Sequence, residues 1–197
     1  MKKYKIVKEP KLYRFSRPII KGFAKGILRA KYIGLENIPK DGPIILAGTH
    51  TSILDCLLMI GSTKRTVHFL AKKELWEGFA SFYFSNIGMI PVDRTKKDAT
   101  VLENAEKCLN DGDLICIFPE GTTEKEKGVM LPFKIGAVKM AKDTNTKIVP
   151  FAINANYKFL SKNLKIKFGK PIEIKDDLEK ENERLCKIVE NLRGEIK

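Results

Sequence analysis

Apolar residues recur with two different spacings along the 197-residue chain. Short apolar-rich runs at 44–48, 67–71, 114–118, 148–153 and 164–168 have the length and β-branched content of strands. Between them the spacing widens to three and four. Val101, Leu102, Ala105, Cys108 and Leu109 form a helical stripe that stops at Asp111 and Gly112, a second covers 134–141, and Leu185, Ile188, Val189 and Leu192 mark a C-terminal helix. This alternation predicts an α/β fold: a single domain over 32–197 with a largely parallel mixed sheet flanked by helices. No internal repeat, low-complexity segment or linker interrupts it.

Residues 1–31 follow another rule. Ile19, Phe23 and Ile27 recur every four residues, and Arg17, Lys21, Lys25 and Arg29 do the same about 200° away around a helix. Pro18, Gly22 and Gly26 weaken such a helix in water, so the segment is expected to order on a surface or to split in two. Charge sharpens the picture. Residues 1–34 hold eleven Lys/Arg against the single acid Glu9, so most of the net charge of +13 sits at this end. One-sided basic charge points to an anionic partner, nucleic acid or an anionic membrane surface. The chain has no nucleic-acid fingerprint and no zinc spacing, while separated apolar and basic faces suit a helix lying in a membrane interface. An ordinary amphipathic helix packed on the domain with a solvated basic face is the competing account. The expectation is a membrane-docking arm over 1–31, with no nucleic-acid partner.

Spanning the bilayer is not expected. The longest uncharged run, 78–92, has 15 residues and contains Gly88 and Pro91, short of the roughly 18 a spanning helix needs. Nor does the N-terminus resemble a signal peptide. Location at the cytoplasmic face of the cell membrane, peripheral or monotopic, follows. The four cysteines, Cys56, Cys108, Cys116 and Cys186, lack paired metal spacing and read as small buried hydrophobes.

Candidate chemistry lies at three corners. The run 44–47 leads into Gly48, Thr49, His50 and Thr51 and on to Asp55, which reads as a strand end turning into a helix start. On an ideal helix a five-residue separation sets side chains about 140° apart, so Asp55 can reach His50 only if His50 precedes the helix. The same residues also fit a helix start capped by Ser52 with an acid in its first turn. Further on, an aromatic run over 74–84, equally suited to core packing or to the wall of an acyl-chain groove, leads to Gly88, Pro91, Asp93 and Arg94, where Arg94 could grip a phosphate through two bonds. The strand at 114–118 ends in Pro119, Glu120, Gly121 and Thr122, which places a carboxylate and anion-binding donors at the carboxyl edge of the sheet.

In order and spacing, His50-x4-Asp55, the 88–94 block, Phe118-Pro-Glu-Gly-Thr122 and Ile148-Val-Pro150-Phe151 resemble the four motif blocks of the glycerolipid acyltransferase family. The likeness, closest to bacterial 1-acylglycerol-3-phosphate acyltransferases, runs from about 32 to 171. It implies transfer of a fatty acyl group from a thioester, acyl-CoA or acyl carrier protein, to the free hydroxyl of a lysophospholipid acceptor. His50 would be the base and Asp55 its orienting partner. Arg94 with Lys72 or Lys73 would hold the phosphate, while Glu120, Gly121 and Thr122 would position the glycerol. The resemblance implies no metal and no cofactor beyond the acyl donor as co-substrate. Two positions depart from the family pattern: Thr49 replaces the usual Asn, and Thr123 stands where the family has Arg, with Lys125 and Lys127 nearby. The second leaves the acceptor open between lysophosphatidate, glycerol 3-phosphate and another lysolipid, and a lipid-binding module without turnover is the non-enzyme alternative.

Overall fold

The computed structural model describes residues 10–76, 82, 86–92, 99–123 and 129–197. Seven strands form one sheet: β1 (Lys31–Ile33), β2 (Ile44–Gly48), β3 (Val67–Lys72), β4 (Ile90–Val92), β5 (Leu114–Ile117), β6 (Ile148–Ile153) and β7 (Lys165–Phe168). Their spatial order is β1-β7-β6-β2-β5-β3-β4. Strands β2 to β6 run parallel, whereas β7 is antiparallel to β6 and β1 parallel to β7. The expected largely parallel mixed sheet is therefore present, with β1 and β4 as short additions whose three residues are too few to show a period.

Five helices among the described residues cover the sheet: α1 (Lys11–Gly26), α2 (Asp55–Ser62), α3 (Ala99–Asn110), α4 (Gly136–Asp143) and α5 (Leu178–Gly194). All five residues of β2 are buried, as expected of a strand covered on both faces. Successive side chains point to opposite sides. Ile44 and Leu46 join Tyr13 and Ala24 of α1 and Leu58 and Met59 of α2. Ile45 and Ala47 join Leu109 of α3, Val138 of α4 and Val189 of α5. Each fully buried aliphatic side chain contributes about 1.5–3 kcal/mol, so this one strand ties both helical layers together.

The N-terminal helix differs from its sequence expectation. It is one 16-residue helix with Pro18 inside it, ordered by contact with the domain. Tyr13 and Ala24 are buried in the core, the Tyr13 hydroxyl accepts the Val67 N–H at 3.0 Å, and the Arg17 guanidinium donates to Thr63 O at 3.2 Å. Thr63 is the C-cap of α2, where free carbonyls and the helix dipole favour a cation. Part of the basic stripe is thus used inside the fold, with Arg17 and Lys21 half-buried. Phe15, Ile19 and Ile27 face outward instead. No helix among the described residues is long and apolar enough to cross a membrane.

Candidate active site

Strands β2 and β5 are neighbours, but the chain leaves them toward opposite layers, to α2 after β2 and to α4 after β5. Adjacent strands that part in this way open a crevice at their carboxyl ends. Gly48, last in β2, allows the close approach there: a Cβ on it would lie 2.0 Å from Phe151 O. Buried Thr49 follows, and its hydroxyl accepts the N–H of Ile153 at 3.0 Å, so the last amide of β6 is satisfied where the ladder ends.

His50 is next, on the turn, and α2 begins only at Asp55. The condition for their contact is met: His50 Nδ1 and Asp55 Oδ2 are 2.9 Å apart. The expected cap at Ser52 is replaced. The helix starts two residues later than that cap would set it, with Leu54 in the cap position, and the Asp55 carboxylate reaches back over the turn, taking the N–H of Thr51 at 2.6 Å and of Ser52 at 2.9 Å on Oδ2. Ser52 Oγ accepts only the N–H of Leu54, at 3.2 Å. Asp55 Oδ1 is bonded by the hydroxyls of Thr51, at 3.1 Å, and Tyr157. Five donors therefore converge on a carboxylate with no exposed surface, which is how a buried charge is made tolerable. A carboxylate only accepts, so in the neutral imidazole the facing Nδ1 is the nitrogen that carries the proton and Nε2 the one with the free lone pair. The imidazole is 18% exposed and stacks on Phe118 at 4.0 Å between ring centroids and 16° between planes. The other histidine, His68, is buried in β3 with Nδ1 2.6 Å from Gly88 O.

Glu120 binds this corner to the next. Its side chain is 3% exposed, Oε1 accepts the backbone N–H of His50 at 2.8 Å and Oε2 that of Leu131 at 2.8 Å. Sequence reading put it beside the glycerol, and in the structure its two oxygens brace the backbone of the histidine turn and of Leu131. Gly121 holds φ at +73°, so the turn needs glycine for its backbone, with the flexible end of Lys134 lying over it. Thr122 is exposed beside it, and Lys72 and Lys73 stand at the carboxyl end of β3. Arg94, Lys125 and Lys127, with 77–81 and 83–85 of the aromatic run, lie outside the described residues.

Sequence reading missed Tyr157 and Thr51. Thr51 is adjacent to the histidine and could have been suspected, whereas Tyr157 lies 102 residues from Asp55 in the β6–β7 connection, with no local pattern around it. Burial and then the Asp55 carboxylate push the Tyr157 phenol well above its ordinary pKa, so it remains a donor. Burial, and after it Asp55, push the Cys56 thiol up to about 12. All four cysteines are free, with Cys108 and Cys116 buried.

A buried acid orienting a histidine at the carboxyl edge of a parallel sheet is an arrangement for general-base chemistry. Comparison with known proteins says which. The acyltransferase family model matches residues 29–154, well over half of the chain, and the chain belongs to that family. A 1-acyl-sn-glycerol-3-phosphate acyltransferase of Bacillus subtilis is 28% identical over 193 residues, covering 94% of this chain and 96% of its own. The enzyme of that name from Borreliella burgdorferi is 34% identical over 144 residues, covering 72% of this chain and 57% of its own. The human 1-acyl-sn-glycerol-3-phosphate acyltransferase alpha is 31% identical over 139 residues, covering 68% of this chain and 49% of its own. The fold is shared with the crystal structure of the 1-acyl-sn-glycerophosphate (LPA) acyltransferase PlsC from Thermotoga maritima, with a TM-score of 0.75 at 24% identity over 93% of this chain and 80% of that one.

Proposed function

We propose that this acyltransferase moves a fatty acyl group from a thioester, on coenzyme A or acyl carrier protein, to the free hydroxyl of 1-acyl-glycerol 3-phosphate, giving phosphatidic acid. The observation that carries the reading is the His50–Asp55 pair, with Nδ1 fixed on Asp55 in a chain of this family. Nε2 takes the hydroxyl proton as the oxygen attacks the thioester carbonyl. The tetrahedral intermediate collapses by breaking the C–S bond, and the departing thiolate takes the proton back from the imidazolium. Asp55 stabilises that imidazolium and holds its tautomer. The acceptor supplies the nucleophile, so no side-chain nucleophile is needed.

Arg94 with Lys72 or Lys73 binds the acceptor phosphate as an ionic contact, and Gly121 and Thr122 flank the glycerol next to the Glu120 brace. The enzyme works at an anionic membrane surface, docked through α1. The outward placement of Phe15 and Ile19 between the cations Lys11, Arg14 and Lys25 supports this. A second acceptor remains in view because Thr123 stands where the family has arginine.

Radiolabelled acyl-CoA and acyl carrier protein, each offered with lysophosphatidate, glycerol 3-phosphate and neutral lysolipids, test the reading. Label should enter phosphatidic acid. Label passing to another acceptor, or to none, overturns it. Cosedimentation with vesicles containing phosphatidylglycerol tests the docking, and a protein left wholly in the supernatant refutes it.

A further inference from the structure

We propose that the tip of the β6–β7 connection, Phe159 and Leu160, inserts into the interface of an anionic bilayer as a second membrane contact beside α1. The inference rests on the membrane reading above and deepens it by placing the bilayer next to the histidine turn.

Bulky apolar side chains at a loop tip have no use for a domain whose core is already closed. Phe159 is 68% exposed and Leu160 66%. Leu160 adopts φ of +58°, a conformation costly for a branched side chain. The tip is also tied to the end of α1: Leu160 N–H donates to Ile27 O at 2.7 Å, and the Arg29 guanidinium donates to Leu160 O at 3.3 Å. Ile27, whose carbonyl takes that bond, is itself an exposed apolar residue.

Charge selects the occupant. The tip sits between Lys158 and Lys162, both exposed, with Arg29 bonded across it. Two apolar residues ringed by cations match an interface with acyl chains below and anionic headgroups around. A second copy of this chain would bring the same cations against themselves.

The placement matters for the reaction. Tyr157, which donates to Asp55, is three residues from Leu160, at most about 11 Å of chain. Ile53, 81% exposed, stands on the turn between His50 and Asp55. A bilayer seated on the tip therefore lies close to the dyad, and a membrane-borne acceptor reaches His50 without leaving the interface.

A Leu160→Trp variant of the full chain, read against wild type to subtract Trp76, reports insertion. With phosphatidylglycerol-containing vesicles the added emission should shift to the blue, and brominated acyl chains should quench it. In parallel, a Phe159→Ser, Leu160→Gly double variant, whose glycine suits the positive φ, should lose vesicle partitioning by about tenfold while keeping its circular dichroism spectrum. If wild type binds the vesicles and the added indole stays unshifted and unquenched, the tip does not insert and this inference fails alone. If wild type does not bind, the docking reading and this inference fail together. A blue shift without vesicles that tracks protein concentration assigns the tip to self-association and overturns the proposal.

Discussion

Tyr157→Phe removes a single oxygen and leaves the ring in place, so it tests how much the dyad depends on the one donor that arrives from a distant part of the chain. The Tyr157 hydroxyl shares Asp55 Oδ1 with that of Thr51. A hydrogen bond to a charged group is worth about 1.5–3 kcal/mol, and about 1.4 kcal/mol of barrier is tenfold in rate. Complete expression of the loss in the transition state would slow turnover by about ten to a hundredfold, and the Thr51 bond left on the same oxygen places the expected fall near the lower figure. The phenol faces the acid rather than the acceptor, so the change belongs in kcat, with KM for donor and acceptor unchanged. The same loss should lower Tm by about 3–10 °C for a chain of this size. Steady-state acyl transfer with each substrate varied in turn, and thermal unfolding by circular dichroism, give both numbers. A variant with lowered Tm and wild-type kcat would show the phenol to be structural only and refute the reasoning.

Three other substitutions and conditions have definite outcomes. Glu120→Gln turns an amide NH2 toward either the His50 or the Leu131 N–H, both of which now meet carboxylate oxygens; a loss of about 1–3 kcal/mol in urea unfolding and a drop in kcat are expected, and an unaffected variant would remove Glu120 from the scaffold. Gly48→Ala puts a Cβ 2.0 Å from a backbone oxygen that cannot rotate away, so about 3 kcal/mol or more of stability should be lost, measured by the denaturant midpoint. Alkaline pH should weaken the fold through Cys56, whose folded pKa is raised from 9.0 to about 12: its contribution is complete below the unfolded value and lost as pH climbs from there toward the folded one. Urea midpoints should therefore fall above about pH 9, less steeply in Cys56→Ala, and identical slopes would contradict the assignment.

Strands β2 and β6 were legible to the residue, because both are short apolar runs buried on every side and a continuous run needs no partner to be recognised. The histidine corner was legible for another reason: helical geometry required His50 to precede α2 if Asp55 was to reach it, and the later motif blocks chose that reading over a plain capped helix start. Contacts between distant segments were not. Tyr157 reaches Asp55, and Leu131 reaches Glu120, through loops whose composition carries no period. The direction of α1 was also hidden. Its stripes were visible, but the half-buried face is set by Tyr13, Ala24 and the close approach at Gly61, where a Cβ would lie 2.9 Å from the Tyr32 hydroxyl and 3.6 Å from Ala24 Cβ. That face took up part of the basic stripe and left Ile19 and Ile27 of the apolar one outside, while Phe23 packs partly against the core.

Central to the account is His50 as the base that deprotonates the acceptor. Measured with radiolabelled acyl donor and lysophosphatidate on a protein shown to be folded, His50→Ala should reduce kcat by at least about a hundredfold with acceptor KM little changed. Acyl transfer at the wild-type rate would contradict it.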